Sequence, residues 1–269
     1  MKVHWGVKCL GASGANLNET EIVNEAKRMV EGARKKNITM RVMGATAVRI
    51  HCSKFEPLHE SLGRKISDLD FMTLSKDKDK IFKLFREFGY YVDEGMFYAA
   101  SFVGMGHRAI IKKNNLVLDV FFDKLEMCHT IDFSKRLEID YPTISLADLL
   151  LEKMQIVKLN EKDILDTIVM FREHDVGERD KETINSGYVS GLLSRDWGFY
   201  YTVTTNLGKI KSALSGYDVL RSEDAEDIES KIDKLLKAIE DKPKSLNWRI
   251  RSKVGPSKKW YRDVDELLR

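Results

Sequence analysis

The residues predict an α+β chain, with a mixed sheet in the first half and helices in the second. Three observations carry this reading. Short apolar runs separated by turn residues crowd the stretch from Ile38 to Phe122. Beyond Pro142 the apolar residues recur at helical spacing instead. Two of the strand-like runs hold aspartates inside otherwise apolar sequence, which is costly to bury without a partner.

Taken in order, Asn18-Glu-Thr-Glu-Ile opens a helix running through Arg34, with Asn18 or Thr20 as its cap. Ile22, Val23, Ala26, Met29 and Val30 share one face of it. Residues 38–43 read as a short strand stopped by Gly44, and residues 45–51 as the start of a helix. A polar loop with Pro57 and Gly63 leads to a strand over residues 68–74, then to a helix from about residue 77 to 88. Residues 90–93, 97–103, 108–113 and 116–122 read as further strands, separated by Glu94-Gly95, Gly104-Met-Gly106 and Asn114-Asn115. Helices are expected from Ser145, from Asn160 and over residues 180–193, with more to the end. The best single cut falls near residue 143, leaving residues 1–36 as an N-terminal helical segment, 37–142 as the α/β core and 143–269 as a helical C-terminal domain. No internal repeat or low-complexity linker interrupts this order.

Composition excludes little. With 43% hydrophobic and 32% charged residues the chain is ordinary for a soluble protein. The longest apolar runs fall well short of the roughly 18 residues of a membrane helix, and the opening Met-Lys-Val-His-Trp lacks a signal core, so a cytoplasmic location is expected. Cys9, Cys52 and Cys128 are odd in number and scattered, which fits reduced thiols. His51-Cys52 and Cys128-His129 offer zinc donors without the short paired spacing of zinc motifs, so ordinary buried thiols are expected.

The net charge of +3 hides an asymmetry. Between residues 242 and 262 stand Lys242, Lys244, Arg249, Arg251, Lys253, Lys258, Lys259 and Arg262 with no acid, interleaved with Trp248, Trp260 and Tyr261. Positive charge for phosphates beside flat rings for stacking is the composition of an RNA-contacting surface. It is equally that of a helix and loop packed by its aromatics with its lysines in water.

The chemistry is concentrated in Arg64-Lys-Ile-Ser-Asp-Leu-Asp-Phe-Met-Thr-Leu74. In a strand Asp68 and Asp70 face the same way, with Leu69 and Phe71 opposite. Two co-facial carboxylates repel unless a cation stands between them, and Mg²⁺ is the hard, oxygen-preferring ion that suits them, with Mn²⁺ in its place as a second choice. The same spacing at Asp77/Asp79 and Asp263/Asp265 lies in charged sequence and reads as solvated faces. Asp119 is the one charged residue in the apolar run 116–122; a strand beside 68–74 would bring it to the first two, and three carboxylates can hold two ions. Gly44 at a strand-to-helix turn lets a phosphate approach exposed amides, or simply makes a tight turn. Lys153 falls mid-arc among Leu146, Leu149, Leu150 and Val157, where a buried lysine wants an anion such as a nucleotide phosphate, or else snorkels. Asp163 sits where a helix start expects an acid.

Together, Gly44-Ala45, Asp68-Leu-Asp70 and Asp119 resemble the signature of the nucleotidyltransferase superfamily with the DNA polymerase β-like fold. Arg41-Val-Met-Gly-Ala-Thr-Ala-Val-Arg-Ile-His51, Arg64-x-x-Ser67-Asp-Leu-Asp70, Leu-x-x-Lys153 and Lys-Asp163-x-x-Asp166 look most like its AbiEii toxin-like branch. The resemblance covers about residues 38 to 172. It implies a mixed-sheet nucleotidyltransferase core and Mg²⁺-dependent transfer of a nucleoside monophosphate from an NTP to a hydroxyl of RNA, protein or a small molecule. Asp68, Asp70 and Asp119 would be catalytic and hold metal, while Gly44, Ala45, Arg64, Ser67 and Lys153 would bind the nucleotide. An antitoxin protein is an implied partner. The chain departs from the pattern in two ways. Ala45 replaces a Ser or Gly, and 23 residues separate Gly44 from Asp68, implying a longer active-site loop with His51, Lys54 and His59. Other readings are a fold-retaining binding module without chemistry, acting through the basic tail, and a small-molecule resistance enzyme whose acidic pocket would draw on Asp93, Glu94 and Asp123.

Overall fold

The computed structural model describes residues 18–54, 61, 63–66, 68–102, 107–113 and 116–264. Their first half comprises α1 (Glu19–Lys35), β1 (Met40–Met43), α2 (Gly44–His51), β2 (Leu69–Thr73), a 3₁₀ turn (Ser75–Asp77), α3 (Lys78–Glu87), β3 (Tyr91–Val92), α4 (Glu94–Phe102), β4 (Arg108–Lys113) and β5 (Leu116–Phe122). The five strands form one mixed sheet in the order β1-β2-β5-β4-β3. Only β2 and β5 are parallel, with Asp70 opposite Asp119; the remaining neighbours are antiparallel. The α+β class and the mixed sheet are as the sequence predicts.

Each element follows from local chemistry. Asn18, not Thr20, starts α1 through a capping box: its Oδ1 accepts from Glu21 N at 2.9 Å while Glu21 Oε2 accepts from Asn18 N at 2.8 Å. Alternation in β2 and β5 then sends Leu69, Phe71, Leu118, Val120 and Phe122 to one face, which α3 covers beside α1. Phe85 meets Phe71 with ring centroids 6.1 Å apart, and Phe82 meets Phe122 at the same separation. Burying that face leaves Asp70 and Asp119 on the other, uncovered by those helices.

Two expectations fail here. Residues 97–102 are not part of the expected strand 97–103: 94–102 form α4, and residue 103 lies outside the described residues. A short apolar run has no period that separates strand from buried helix. The deciding contacts are local, with Asp93 Oδ1 accepting from Met96 N at 2.8 Å at the start, and Phe97 packing on Phe82 and Phe122.

The second half holds a hairpin of β6 (Lys124–Glu126) with β7 (Thr130–Asp132), then α5 (Leu146–Met154), α6 (Glu161–Glu173), β8 (Asp175–Gly177), β9 (Thr183–Asn185), α7 (Ser186–Leu193), α8 (Trp197–Ala213), α9 (Ser222–Asp241) and α10 (Leu246–Val254). The expected helix over 180–193 begins only at Ser186, where Asn185 Oδ1 caps Tyr188 N at 3.0 Å. Residues 183–185 instead pair in parallel with β8. No described helix is long and apolar enough to cross a membrane.

Candidate active site

The cleft beneath the sheet's open face has a volume of about 520 Å³ and is lined by Gly44, Ala45, Arg64, Asp68, Asp70, Arg108, Asp119, Glu152, Lys153 and Asp163 among others. Its floor is the β2–β5 pair. Because these strands are parallel and in register at Asp70 and Asp119, the two carboxylates leave the sheet side by side, one strand spacing of about 4.8 Å apart at the backbone. Asp68, two residues before Asp70, enters from the edge of the same face.

Gly44 closes the site from above. It follows Met43, the partner of Asp70 across β1–β2, and turns the chain into α2 with φ +68°. A Cβ at this position would stand 2.2 Å from Asp70 Oδ2. Glycine is therefore required twice, for the left-handed backbone and for the close approach. Its amide donates to Glu152 Oε2 at 3.1 Å.

The charges are crowded. Burial, then the neighbouring Asp68, Asp119 and Glu152, push the Asp70 carboxyl well above the usual range. Burial also raises Glu152, to about 7, against the opposing pull of Lys153 and of the Gly44 amide. Asp119 is held by Arg108, whose Nε and Nη2 donate to its two oxygens at 2.8 Å each. Neither Glu152 nor Arg108 is singled out by sequence reasoning. Arg108 was within reach of it: a hairpin pairing Lys113 with Leu116 puts Ile110 opposite Asp119, and Arg108 diagonal to it on the same face.

Lys153 is buried and lines the cleft, but its nearest anions are protein carboxylates, Asp166 Oδ2 at 2.9 Å and Asp163 Oδ1 at 3.7 Å. Burial alone would lower its pKa, yet Asp166, Asp163 and Glu152 raise it. Arg64 also closes on Asp166, with Nε and Nη2 at 2.9 and 3.0 Å from its oxygens. Asp166 is thus the hub that fixes both cations at the rim. The segment leading to Asp68 is braced by α1, since Glu19 pairs with Arg49 at 2.8 Å and accepts from Ile66 N at 3.2 Å.

Several expected residues fall elsewhere. Ser67 and His59 lie outside the described residues. His51 is at the far end of α2 from Gly44 and Lys54 N donates to Glu173, so neither lines the cleft. Asp77 is buried and bonded to Lys80 at 3.0 Å rather than solvated, because it packs into the turn before α3. Cys52 and Cys128 are free and buried. His129 bonds Thr202 and stacks on Phe199, a setting that shares no partner with His51.

In the basic tail the rings are packed on α8. Trp248 meets Tyr200, and Trp260 packs among Trp197, Tyr201 and Tyr261 while donating to Thr202 Oγ1 at 3.0 Å. Arg251 donates to the carbonyls of Gly255 and Lys258, and Arg262 to Met127 O at 3.0 Å. Lys244 bonds the end of α9 and Lys259 pairs with Asp263. Lys242, Arg249, Lys253 and Lys258 are exposed.

No protein-family model matches this chain, and no curated protein matches it. Among solved structures it is similar to the solution structure of the antibiotic-resistance factor ANT(2'')-Ia, at 11% identity over 82% of this chain and 96% of that one, with a TM-score of 0.37. At that level the likeness assigns neither reaction nor substrate.

Proposed function

We propose that this protein is a Mg²⁺-dependent nucleotidyltransferase that moves a nucleoside monophosphate from an NTP to a hydroxyl acceptor. The observation that carries the reading is the register of Asp70 and Asp119 on adjacent parallel strands, with Asp68 beside them and the Gly44 turn against Asp70. The donor set fits the ion. Three carboxylates share one cleft, and the upward push on Asp70, from burial first and then from its carboxylate neighbours, is what a hard divalent cation relieves. Asp68, Asp70 and Asp119 would hold Mg²⁺. Bound there, the ion would supply charge to offset the triphosphate and to lower the pKa of an attacking hydroxyl.

The chain's own groups do the remaining work. Arg108 forks onto Asp119 and fixes where its oxygens point. Lys153 and Arg64 set positive charge at the rim through Asp166; Lys153 uses one of its three N–H donors on that carboxylate, leaving capacity for a phosphate. Glu152, at about 7, retains a proton part of the time at neutral pH, so it does not add a full fourth charge against Asp70. Its contact with the Gly44 amide holds the turn in place.

Arg108 also favours a second reading. By occupying both oxygens of Asp119 it suits a fold-retaining binding module that has lost its chemistry. One assay separates the two: purified protein, each α-labelled NTP, Mg²⁺, and cell extract split into RNA, protein and small-molecule fractions, comparing wild type with Asp70→Asn. Label in one fraction that disappears in the variant supports the enzyme and names its acceptor class. Equal label in both proteins sinks the proposed site, and no label with any NTP moves the weight to the binding module.

A further inference from the structure

At the opposite end of α2 from Gly44, side chains from four separate segments converge. They are His51, the last residue of α2; Asp140, before the Tyr141-Pro142 bond; His174, at the end of α6; and Glu182, before β9. The rise of an α-helix puts His51 about 10 Å from Gly44, and none of the four lines the cleft. This cluster is distinct from the proposed catalytic carboxylates.

Hydrogen bonds fix how the rings present themselves. Both histidines are buried. His51 Nε2 lies 3.1 Å from Ile144 O and 2.7 Å from Thr143 Oγ1, and His174 Nε2 lies 3.3 Å from His51 O. A carbonyl only accepts, so a proton on Nε2 suits the contacts of both rings. Their Nδ1 atoms lie 3.8 Å and 3.7 Å from the two oxygens of one carboxylate, Glu182. Where Nδ1 is bare, a cation is what joins it to that carboxylate. Asp140 adds an independent sign, because its Oδ2 is buried with no hydrogen-bond partner, 4.0 Å from His51 Nε2. One ligand atom from each of His51, Asp140 and Glu182 lies within 4.8 Å of the others.

We propose that His51, Asp140 and Glu182 bind a divalent transition-metal ion, Zn²⁺ before others, with His174 as an outer partner beside them. Imidazole with carboxylate suits Zn²⁺ where an all-oxygen set would suit Mg²⁺. The carbonyl of Ile144 is an outer partner that orients the His51 ring, and the His51 carbonyl orients the His174 ring beside it. Ligand atoms on a tetrahedral ion with bonds of about 2.1 Å stand roughly 3.4 Å apart, against up to 4.8 Å among His51, Asp140 and Glu182, so the cluster must close by up to about 1.4 Å. Glu182, 59% exposed, is the member free to move and the route by which the ion enters. Bound, the ion would tie the end of α2 to the residue before β9 and to the segment before Thr143, clamping the helix whose first residue shapes the cleft.

The test is titration of the chelator-stripped full chain with Zn²⁺ under saturating Mg²⁺, which occupies oxygen-only sites, with Co²⁺ as a spectroscopic probe. One equivalent binds to wild type, and Co²⁺ gives the intense visible band of a four-coordinate site. Glu182→Gln, which leaves the buried rings untouched, and His174→Gln each weaken binding at least about tenfold, while Asp70→Asn binds Zn²⁺ as wild type does. Absence of Zn²⁺ binding by wild type overturns the proposal and leaves the histidines as a protonation site only. Affinity unchanged in both Glu182→Gln and His174→Gln overturns it as well.

Discussion

Replacing Gly44 with alanine probes the close approach of its backbone to Asp70. The added Cβ would stand 2.2 Å from Asp70 Oδ2 and 3.1 Å from its Cγ, while ordinary contact begins near 3.4 Å, so the carboxylate must retreat by about 1 Å. The backbone at φ +68° adds a penalty of about 1–2 kcal/mol for any L-residue. A displacement of about 1 Å at a reacting centre costs on the order of 100-fold in rate. Gly44→Ala should therefore lose on the order of 100-fold in NTP turnover, measured by release of α-label, and about 1–2 kcal/mol in urea denaturation. Gly191→Ala is the control, since its Cβ would meet nothing within 4 Å inside α7, and it should be neutral or stabilise by up to about 1 kcal/mol. Wild-type turnover and midpoint in Gly44→Ala would refute the packing of Asp70 against the turn.

Further outcomes are expected from the same physics. Asp166→Asn leaves buried Lys153 and Arg64 facing each other without their shared carboxylate, and should cost about 3 kcal/mol in urea denaturation at pH 7. His129 is pushed down to about 4 by burial, against the pull of Asp196. A folded pKa below the unfolded value of about 6.5 means the neutral ring is the folded form. Its contribution is complete above about pH 6.5 and lost as pH falls from there toward 4, about 2 kcal/mol of it between pH 7 and 5, and urea midpoints of His129→Gln should lack that part of the pH dependence. If the acceptor is RNA, reversing the exposed Arg249 and Lys253 to glutamate should weaken RNA retention on filters and flatten its salt dependence, with the fold unchanged by circular dichroism.

Much of the site was legible because strand alternation is a strict code. Asp68 and Asp70 had to share a face opposite Leu69 and Phe71, and Asp119 could sit inside its apolar strand only with a partner nearby. What the sequence withheld was long-range. Glu152 reaches the Gly44 amide from a helix more than a hundred residues away, and its neighbour Lys153 drew attention by falling on the apolar arc. The shift of Lys153 toward Asp166 has the same origin, because periodicity locates a buried cation without naming its anion. Residues 94–102 misled because an apolar run followed by glycines satisfies strand and helix alike until the Asp93 cap is seen. The aromatics of the tail were ambiguous for a further reason: rings that stack on bases and rings that pack on a helix have the same composition.

The central claim is that Asp68, Asp70 and Asp119 are crowded in order to hold a cation, and melting with and without Mg²⁺ tests it most directly. Without metal, Asp70→Asn should melt at or above the wild-type temperature, because the amide replaces a carboxyl already driven toward its neutral form. Saturation of the site at a hundred times Kd should then stabilise wild type by about 2.7 kcal/mol, roughly 5 °C for a chain of this size, and leave Asp70→Asn unmoved. A metal-free Asp70→Asn that melts well below wild type, or equal Mg²⁺ stabilisation of both proteins, would contradict the account.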